Sequence, residues 1–315
     1  MKKLLSLAIA LVLGLSMSAP VLAVEEAPKD WTEIKVEKTI DLKNTGTVNP
    51  AETFNFTVGP GEVTGSGVSG VKVPQIEDFS ISFDQGKLAS FTNLQLPTFT
   101  HVGVYTYKIT ETAGNTAGMR YNTGTYKLQV TVLNNGAGGF TRVVTLVDGN
   151  DVKTDAFVNE FSARSLVVEK AITGNDALFG DEFEVTVTLT PDEGKVIKEG
   201  PIRVTGAVDE TGSVVKNDDG TVTVTFKVTN ESKVTIENIP YDVSYKVTEE
   251  ARDYTATIEN ATGPINSLTK DVNITNDRDR IIETGVNLDN LPYILVLALV
   301  GVGLISFTVR KRVRN

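Results

Sequence analysis

Short runs of alternating apolar and polar residues fill the central part of this chain, and no long stretch there has the 3.6-residue period of an amphipathic helix. The clearest runs are residues 53–58, 104–110, 126–133, 184–189, 221–228 and 243–248. Turn-forming pairs such as Asn135-Gly136 and Asp219-Gly220 separate them. Because alternate residues of a strand share one face, each run can bury one side. The pattern predicts an all-β chain of antiparallel sandwiches.

An internal repeat divides this β-rich body into two parts. Three segments recur in the same order: 34–38 as 166–170, 107–111 as 245–249, and 157–159 as 274–276. Each part therefore has one strand with a Lys, one with a Glu and one with an Asn at matching places. A body of about 260 residues is also the usual length of two β-domains. We predict a first domain over residues 24–162 and a second over residues 163–280.

Three polar residues in each repeat lie on strand faces that are otherwise apolar. They are Lys38, Glu111 and Asn159 in the first domain, and Lys170, Glu249 and Asn276 in the second. An unpaired Lys or Glu is costly to bury, so these residues must have partners. One solution is a buried Lys–Glu ion pair with a hydrogen bond to Asn, although such a pair can itself reduce stability.

A second solution for these residues is covalent. Burial lowers the pKa of a Lys and raises that of a Glu, so the amine becomes a neutral nucleophile. The carboxylic acid can polarise the Asn side-chain carbonyl and shuttle protons while the amine attacks. Loss of ammonia then leaves a Lys–Asn amide between reactants that the fold holds together. The pattern of residues on the strand faces leaves both solutions open. Because the pattern occurs in both repeats, it favours the covalent Lys–Asn amide.

The two ends of the chain have the features of targeting segments. Lys2 and Lys3 precede an apolar run and then small residues up to Ala23, which is typical of a secretory signal peptide over residues 1–23. Residues 291–309 carry no charge and precede a basic tail, so they can span a bilayer with the tail in the cytoplasm. A plain single-pass membrane anchor is one interpretation of this end.

Composition excludes several classes of function. The chain has no cysteine, which excludes disulfides, thiolate nucleophiles and Cys-ligated metals. Its single histidine, His101, excludes sites with several His ligands, and we expect no metal or cofactor. A net charge of −10 argues against a nucleic-acid partner. An extracellular hydrolase with paired acids stays open, although Glu111 and Glu249 fall in different domains.

The C-terminal segment, residues 281–315, resembles the cell-wall sorting signal of Gram-positive surface proteins. Its Ile-Ile-Glu-Thr-Gly motif at 281–285 precedes the apolar span and basic tail, with Ile281-Ile282 in place of the family's usual Leu-Pro. The resemblance implies that a sortase cuts between Thr284 and Gly285. The Thr acyl group then passes to an amine, and the protein is anchored to the cell wall.

The two repeats are similar to the isopeptide-linked, Ig-like (CnaB-like) domains of major pilins of the streptococcal T-antigen type. The stretch from Tyr107 to Tyr121 resembles the E-box of that family. The resemblance implies two Ig-like sandwiches with Lys38–Asn159 and Lys170–Asn276 bonds and with Glu111 and Glu249 as catalytic acids. It also implies a lysine shortly before the bonding Asn as the intersubunit nucleophile, and Lys153 is the only lysine there.

A pilus backbone subunit has characteristic partners and a characteristic location. The resemblance implies a covalent polymer of this chain on the Gram-positive cell surface, with sortase, minor pilins, peptidoglycan and a host surface ligand as its partners. Each acid acts once, so the chain is not a turnover enzyme. The alternative is a non-polymerising, wall-anchored adhesin built from the same domains, in which only the wall link uses Thr284.

Overall fold

The computed structural model describes residues 29–154, 156–209, 212–266, 271–280 and 293–302. Apart from a helical segment over the last of these ranges, the regular structure described is β-strand, which confirms the predicted all-β class. No helix within these ranges is both long and apolar enough to cross a membrane. The predicted signal peptide and the Thr-Gly pair lie outside the described residues, as do residues 291–292 and 303–309 of the predicted span.

Among the described residues, ten strands form the first sandwich. They are β1 (Glu33–Leu42), β2 (Glu52–Val58), β3 (Glu62–Thr64), β4 (Phe79–Phe83), β5 (Ala89–Gln95), β6 (Gly103–Glu111), β7 (Met119–Arg120), β8 (Thr125–Asn134), β9 (Phe140–Val147) and β10 (Ala156–Phe161). One sheet has the order β5-β1-β10-β7, and the facing sheet has the order β4-β2-β6-β8-β9 with β3 beside β6.

Ten further strands form the second sandwich in the part of the chain that the structure describes. They are β11 (Ala163–Thr173), β12 (Phe183–Pro191), β13 (Arg203–Thr205), β14 (Ser213–Lys216), β15 (Val222–Val228), β16 (Lys233–Pro240), β17 (Val243–Glu249), β18 (Thr255–Glu259), β19 (Thr262–Pro264) and β20 (Val272–Asp277). Its sheets have the orders β13-β16-β11-β20-β18 and β14-β15-β12-β17-β19.

The buried faces of these strands follow the alternation in the sequence. In β6, Tyr105, Tyr107 and Ile109 are fully buried while the residues between them are more exposed. The first core is aromatic, with the Phe157 ring 4.8 Å from that of Phe56 and 4.0 Å from that of Tyr126. The second core consists mainly of Val, Ile and Leu. The predicted core faces are therefore confirmed.

The strand pairing differs from the predicted antiparallel sandwiches in one respect. β1 pairs with β10 in parallel, and β11 pairs with β20 in parallel, whereas the other pairs are antiparallel. Alternation determines which face of a strand is buried, but not the direction of its neighbour. The first and last strands of each domain enter from the same end, so they run side by side in the same direction.

The two sandwiches meet without a linker, since only Ser162 lies between β10 and β11. The Asn238 side chain forms two hydrogen bonds across the junction with the backbone of Val48, accepting from its N–H at 2.7 Å and donating to its carbonyl at 2.8 Å. The backbone of Val196 also forms two hydrogen bonds across the junction, because its N–H donates to the carbonyl of Asn115 and its carbonyl accepts from the N–H of Ala117, both at 2.9 Å. These contacts fix one domain against the other.

Candidate functional site

Lys38, Glu111 and Asn159 meet inside the first sandwich. The parallel register places Asn159 beside Ile40, so Lys38, two residues earlier on the same face of β1, is its diagonal neighbour. Glu111, at the end of β6, reaches across from the facing sheet. The side chains of Lys38 and Glu111 have no exposed surface, and Asn159 is fully buried.

The Glu111 carboxylate bridges the two nitrogens of this cluster. Its Oε2 lies 3.0 Å from Lys38 Nζ, and its Oε1 accepts a hydrogen bond from Asn159 Nδ2 at 2.5 Å. The Lys38 ammonium also lies 4.9 Å from the centre of the Phe54 ring. One carboxylate therefore contacts both the amine and the amide nitrogen. A group that transfers protons between these two nitrogens must occupy this position.

Burial shifts both titratable groups of this cluster toward their neutral forms. It lowers the pKa of Lys38 to about 8, and the attraction of the Glu111 charge offsets this only in part. Burial likewise raises the pKa of Glu111 against the opposing effect of Lys38. The pair can therefore share its proton as a neutral amine and a neutral acid, the forms that nucleophilic attack requires.

The contacts of the Asn159 amide differ in one detail from the sequence-based expectation. We expected the acid to polarise the side-chain carbonyl, but Glu111 contacts the amide nitrogen instead. The carbonyl oxygen accepts a hydrogen bond from the backbone N–H of Asn122 at 2.7 Å. Sequence reasoning missed Asn122, because every non-proline residue has an N–H, and the only local signal was the turn sequence Asn122-Thr-Gly124.

The second domain brings together the equivalent three residues. Asn276 lies beside Ile172 in the parallel register, and Lys170 is again two residues earlier, the same offset as in the first domain. Lys170 Nζ lies 2.9 and 3.2 Å from the two carboxylate oxygens of Glu249, and both side chains are shielded from solvent. Burial lowers the pKa of Lys170, opposed by its hydrogen bond to Glu249.

Asn276 is held differently from its counterpart Asn159. It is fully buried, yet neither its Oδ1 nor its Nδ2 has a hydrogen-bond partner among the described residues. A buried amide without partners is costly and therefore rare. Lys170 Nζ lies 4.4 Å from the Phe183 ring, so the amine itself is packed as closely as in the first domain.

Lys153 lies outside these clusters, on the surface of the first sandwich. It is exposed, and a single bridge to Val147 holds its backbone beside the end of β9. The neighbouring turn is held by an ion pair between Lys127 and Asp151, at 2.7 Å. Lys153 itself is thus exposed on the surface of the first sandwich.

Two family models match the chain, one for each sandwich. Residues 34–162 match the Spy0128-like isopeptide containing domain, and residues 164–278 match a domain of unknown function, DUF7601. No curated protein sequence matches the chain.

Solved structures with a similar fold include major pilins. The major pilin protein T3.2 of Streptococcus pyogenes superposes with a TM-score of 0.52 at 23% identity, over 80% of this chain and 99% of the pilin. The chain has the fold of a streptococcal major pilin. Another major pilin of that species superposes with a TM-score of 0.51 at 20% identity, over 80% and 99% of the two chains. The pilin fold thus extends across both sandwiches.

Proposed function

We propose that this chain is the backbone subunit of a sortase-assembled pilus on a Gram-positive cell surface, where it supports adhesion. Each domain closes with an autocatalytic Lys–Asn isopeptide bond, Lys38–Asn159 in the first and Lys170–Asn276 in the second. The observation that carries the proposal is the pair of buried Lys–Glu–Asn clusters with the same register offset. The match to an isopeptide domain family and the pilin fold support it.

The bond in the first domain forms by acyl transfer from nitrogen to nitrogen. Lys38 passes a proton to Glu111 Oε2, and the neutral Nζ attacks Cγ of Asn159. In the resulting intermediate Glu111 passes this proton to Nδ2 and then accepts the excess proton from Nζ. The bond between Cγ and Nδ2 breaks, and ammonia takes the last proton from Glu111 and leaves as ammonium, so Glu111 returns to its carboxylate form. Because Lys38 and Asn159 are consumed, each domain completes one reaction and the chain is not a turnover enzyme.

Intact mass distinguishes the bonds from two ion pairs. We expect the exported chain to weigh less than its sequence by two ammonia molecules, one for each bond. A double variant with Lys38→Met and Lys170→Met should show the full sequence mass, since both amines are gone. A full mass for the unaltered chain would show that the buried charges form ion pairs only.

Export and anchoring follow from the two ends of the chain. Residues 1–23 direct secretion, and residues 291–309 hold the chain at the membrane until a sortase cuts between Thr284 and Gly285. The Thr284 acyl group then joins either an amine of the next subunit or the cell wall. Minor pilins and a host surface ligand complete the proposed set of partners.

Polymerisation requires an accessible amine, and we propose Lys153 for this role. Lys153→Arg keeps the charge but removes the nucleophile that sortase uses, so the ladder of high-mass polymer in wall extracts should collapse to monomer. Lys127→Arg is the matched control, because Lys127 lies beside the same turn and should leave the ladder intact. A full ladder from Lys153→Arg would exclude this lysine, and monomer from the unaltered chain would favour the non-polymerising adhesin.

A further inference from the structure

We infer that the two isopeptide bonds form at different rates, because the first domain has a preformed donor for the developing oxyanion, the backbone N–H of Asn122, and the second has none among its described residues. The inference rests on the proposed amide formation. When an amine attacks a carboxamide, negative charge develops on the side-chain oxygen. A fixed hydrogen-bond donor at that oxygen lowers the barrier more than almost any other single group.

The Asn122 donor has the geometry that this role requires. Its N–H lies 2.7 Å from Asn159 Oδ1, within the range for donors to an oxyanion. A backbone N–H can only donate, so it also fixes which end of the carboxamide faces which partner. Oδ1 points to Asn122, and Nδ2 therefore points to Glu111, which can protonate it as it leaves.

The turn that holds this donor is rigid. The Asn122 side chain accepts a hydrogen bond from the Gly124 N–H at 2.8 Å and donates one to the Tyr126 hydroxyl at 2.9 Å. Tyr126 packs on Phe157, two residues before Asn159. The donor is therefore in place before the reaction starts and requires no rearrangement as charge develops.

The neighbouring strand explains why the second domain differs. In the first domain β7 ends at Arg120, after pairing only with Glu160 and Phe161, so the chain leaves the ladder beside Asn159 and Asn122 can turn its N–H inward. In the second domain β18 stays in the ladder with β20, and Ala256 lies directly opposite Asn276. Asn276 Oδ1 accepts no hydrogen bond from the described residues.

The rates of both bonds can be followed in one sample of the full chain. Cell-free synthesis, quenching in denaturant at successive times and proteolysis yield the two cross-linked peptides, Lys38–Asn159 and Lys170–Asn276, for quantification by mass spectrometry. We expect the first cross-link to form on the order of 100-fold faster, the effect of one oxyanion donor. Equal rates would overturn this inference alone, whereas absence of both cross-links would overturn the proposed function as well.

A substitution at Asn122 tests the donor directly. Asn122→Pro removes the N–H, and we expect the first bond to slow by about 100-fold while the second keeps its rate as an internal reference. Asn122→Ala keeps the N–H but loses the side-chain contacts of the turn, so its rate should lie in between. An unchanged first rate in Asn122→Pro with native circular dichroism would overturn the inference. If that variant does not fold, the two rates of the unaltered chain still decide it.

Discussion

Glu111→Ala is expected to leave the first domain uncrosslinked and far less stable. Without the proton shuttle Lys38 cannot attack Asn159, so the mass of the chain should rise by one ammonia molecule. The proposed Lys38–Asn159 bond would close a loop of roughly 120 residues, for which the chain-entropy model of cross-links gives about 5 kcal/mol. Calorimetry should show the first transition lowered by on the order of 15 °C, with the second transition unchanged.

Lys38→Met is the matched control for Glu111→Ala. It also prevents the bond, and it leaves Glu111 as the buried group without an ionic partner, whereas Glu111→Ala leaves Lys38. Removing one partner of a buried ion pair costs about 3–5 kcal/mol, so both variants should be clearly less stable than the unaltered chain. If Glu111→Ala keeps the mass and melting temperature of the unaltered chain, Glu111 is not the acid that drives the reaction.

Asn276→Ala is expected to make the assembled polymer extensible. If subunits join through Lys153 and Thr284, tension enters β10, passes directly into β11, crosses the Lys170–Asn276 bond and leaves after β20. Without that bond the tension must pass through the rest of the second domain. Force spectroscopy on the polymer should then show about 30–35 nm of added length per unfolded subunit, from about 100 released residues.

Asn159→Ala is the matched control for this experiment, because it removes the other bond. Lys153 lies only a few residues before Asn159, so the loop that the first bond closes is not part of the path under tension. Asn159→Ala polymers should therefore unfold more readily on heating but gain almost no length under force. Extension in this variant would show that tension enters the first domain elsewhere than at Lys153.

The sequence predicted the strand faces well because alternation is a local signal. Lys38 and Glu111 stand out in the printed sequence, since each continues an apolar face where a charge is expensive. The structure places both on the buried faces that the alternation indicated. The same reasoning found Asn159 and Asn276, because each follows apolar residues at a spacing of two.

The missed features depend on contacts between distant segments. The parallel pairing of β1 with β10 is set by chain topology, which no local pattern contains. The hydrogen bond from Asn122 to Asn159 is donated by a backbone N–H, so the residue type of Asn122 gives almost no indication of it. The two Asn residues looked equivalent in the sequence, and they differ because β7 ends early whereas β18 does not.

The junction between the sandwiches has a consequence for a whole fibre. Only Ser162 separates β10 from β11, and the Asn238 side chain forms hydrogen bonds with both the N–H and the carbonyl of Val48. A subunit with this junction has no flexible linker between its two domains. A fibre of such subunits would curve only where one subunit meets the next. The bending stiffness of the fibre would then depend on the short segment between β20 and Thr284. Lengthening that segment should make the fibre more flexible without reducing the tensile force that it can bear.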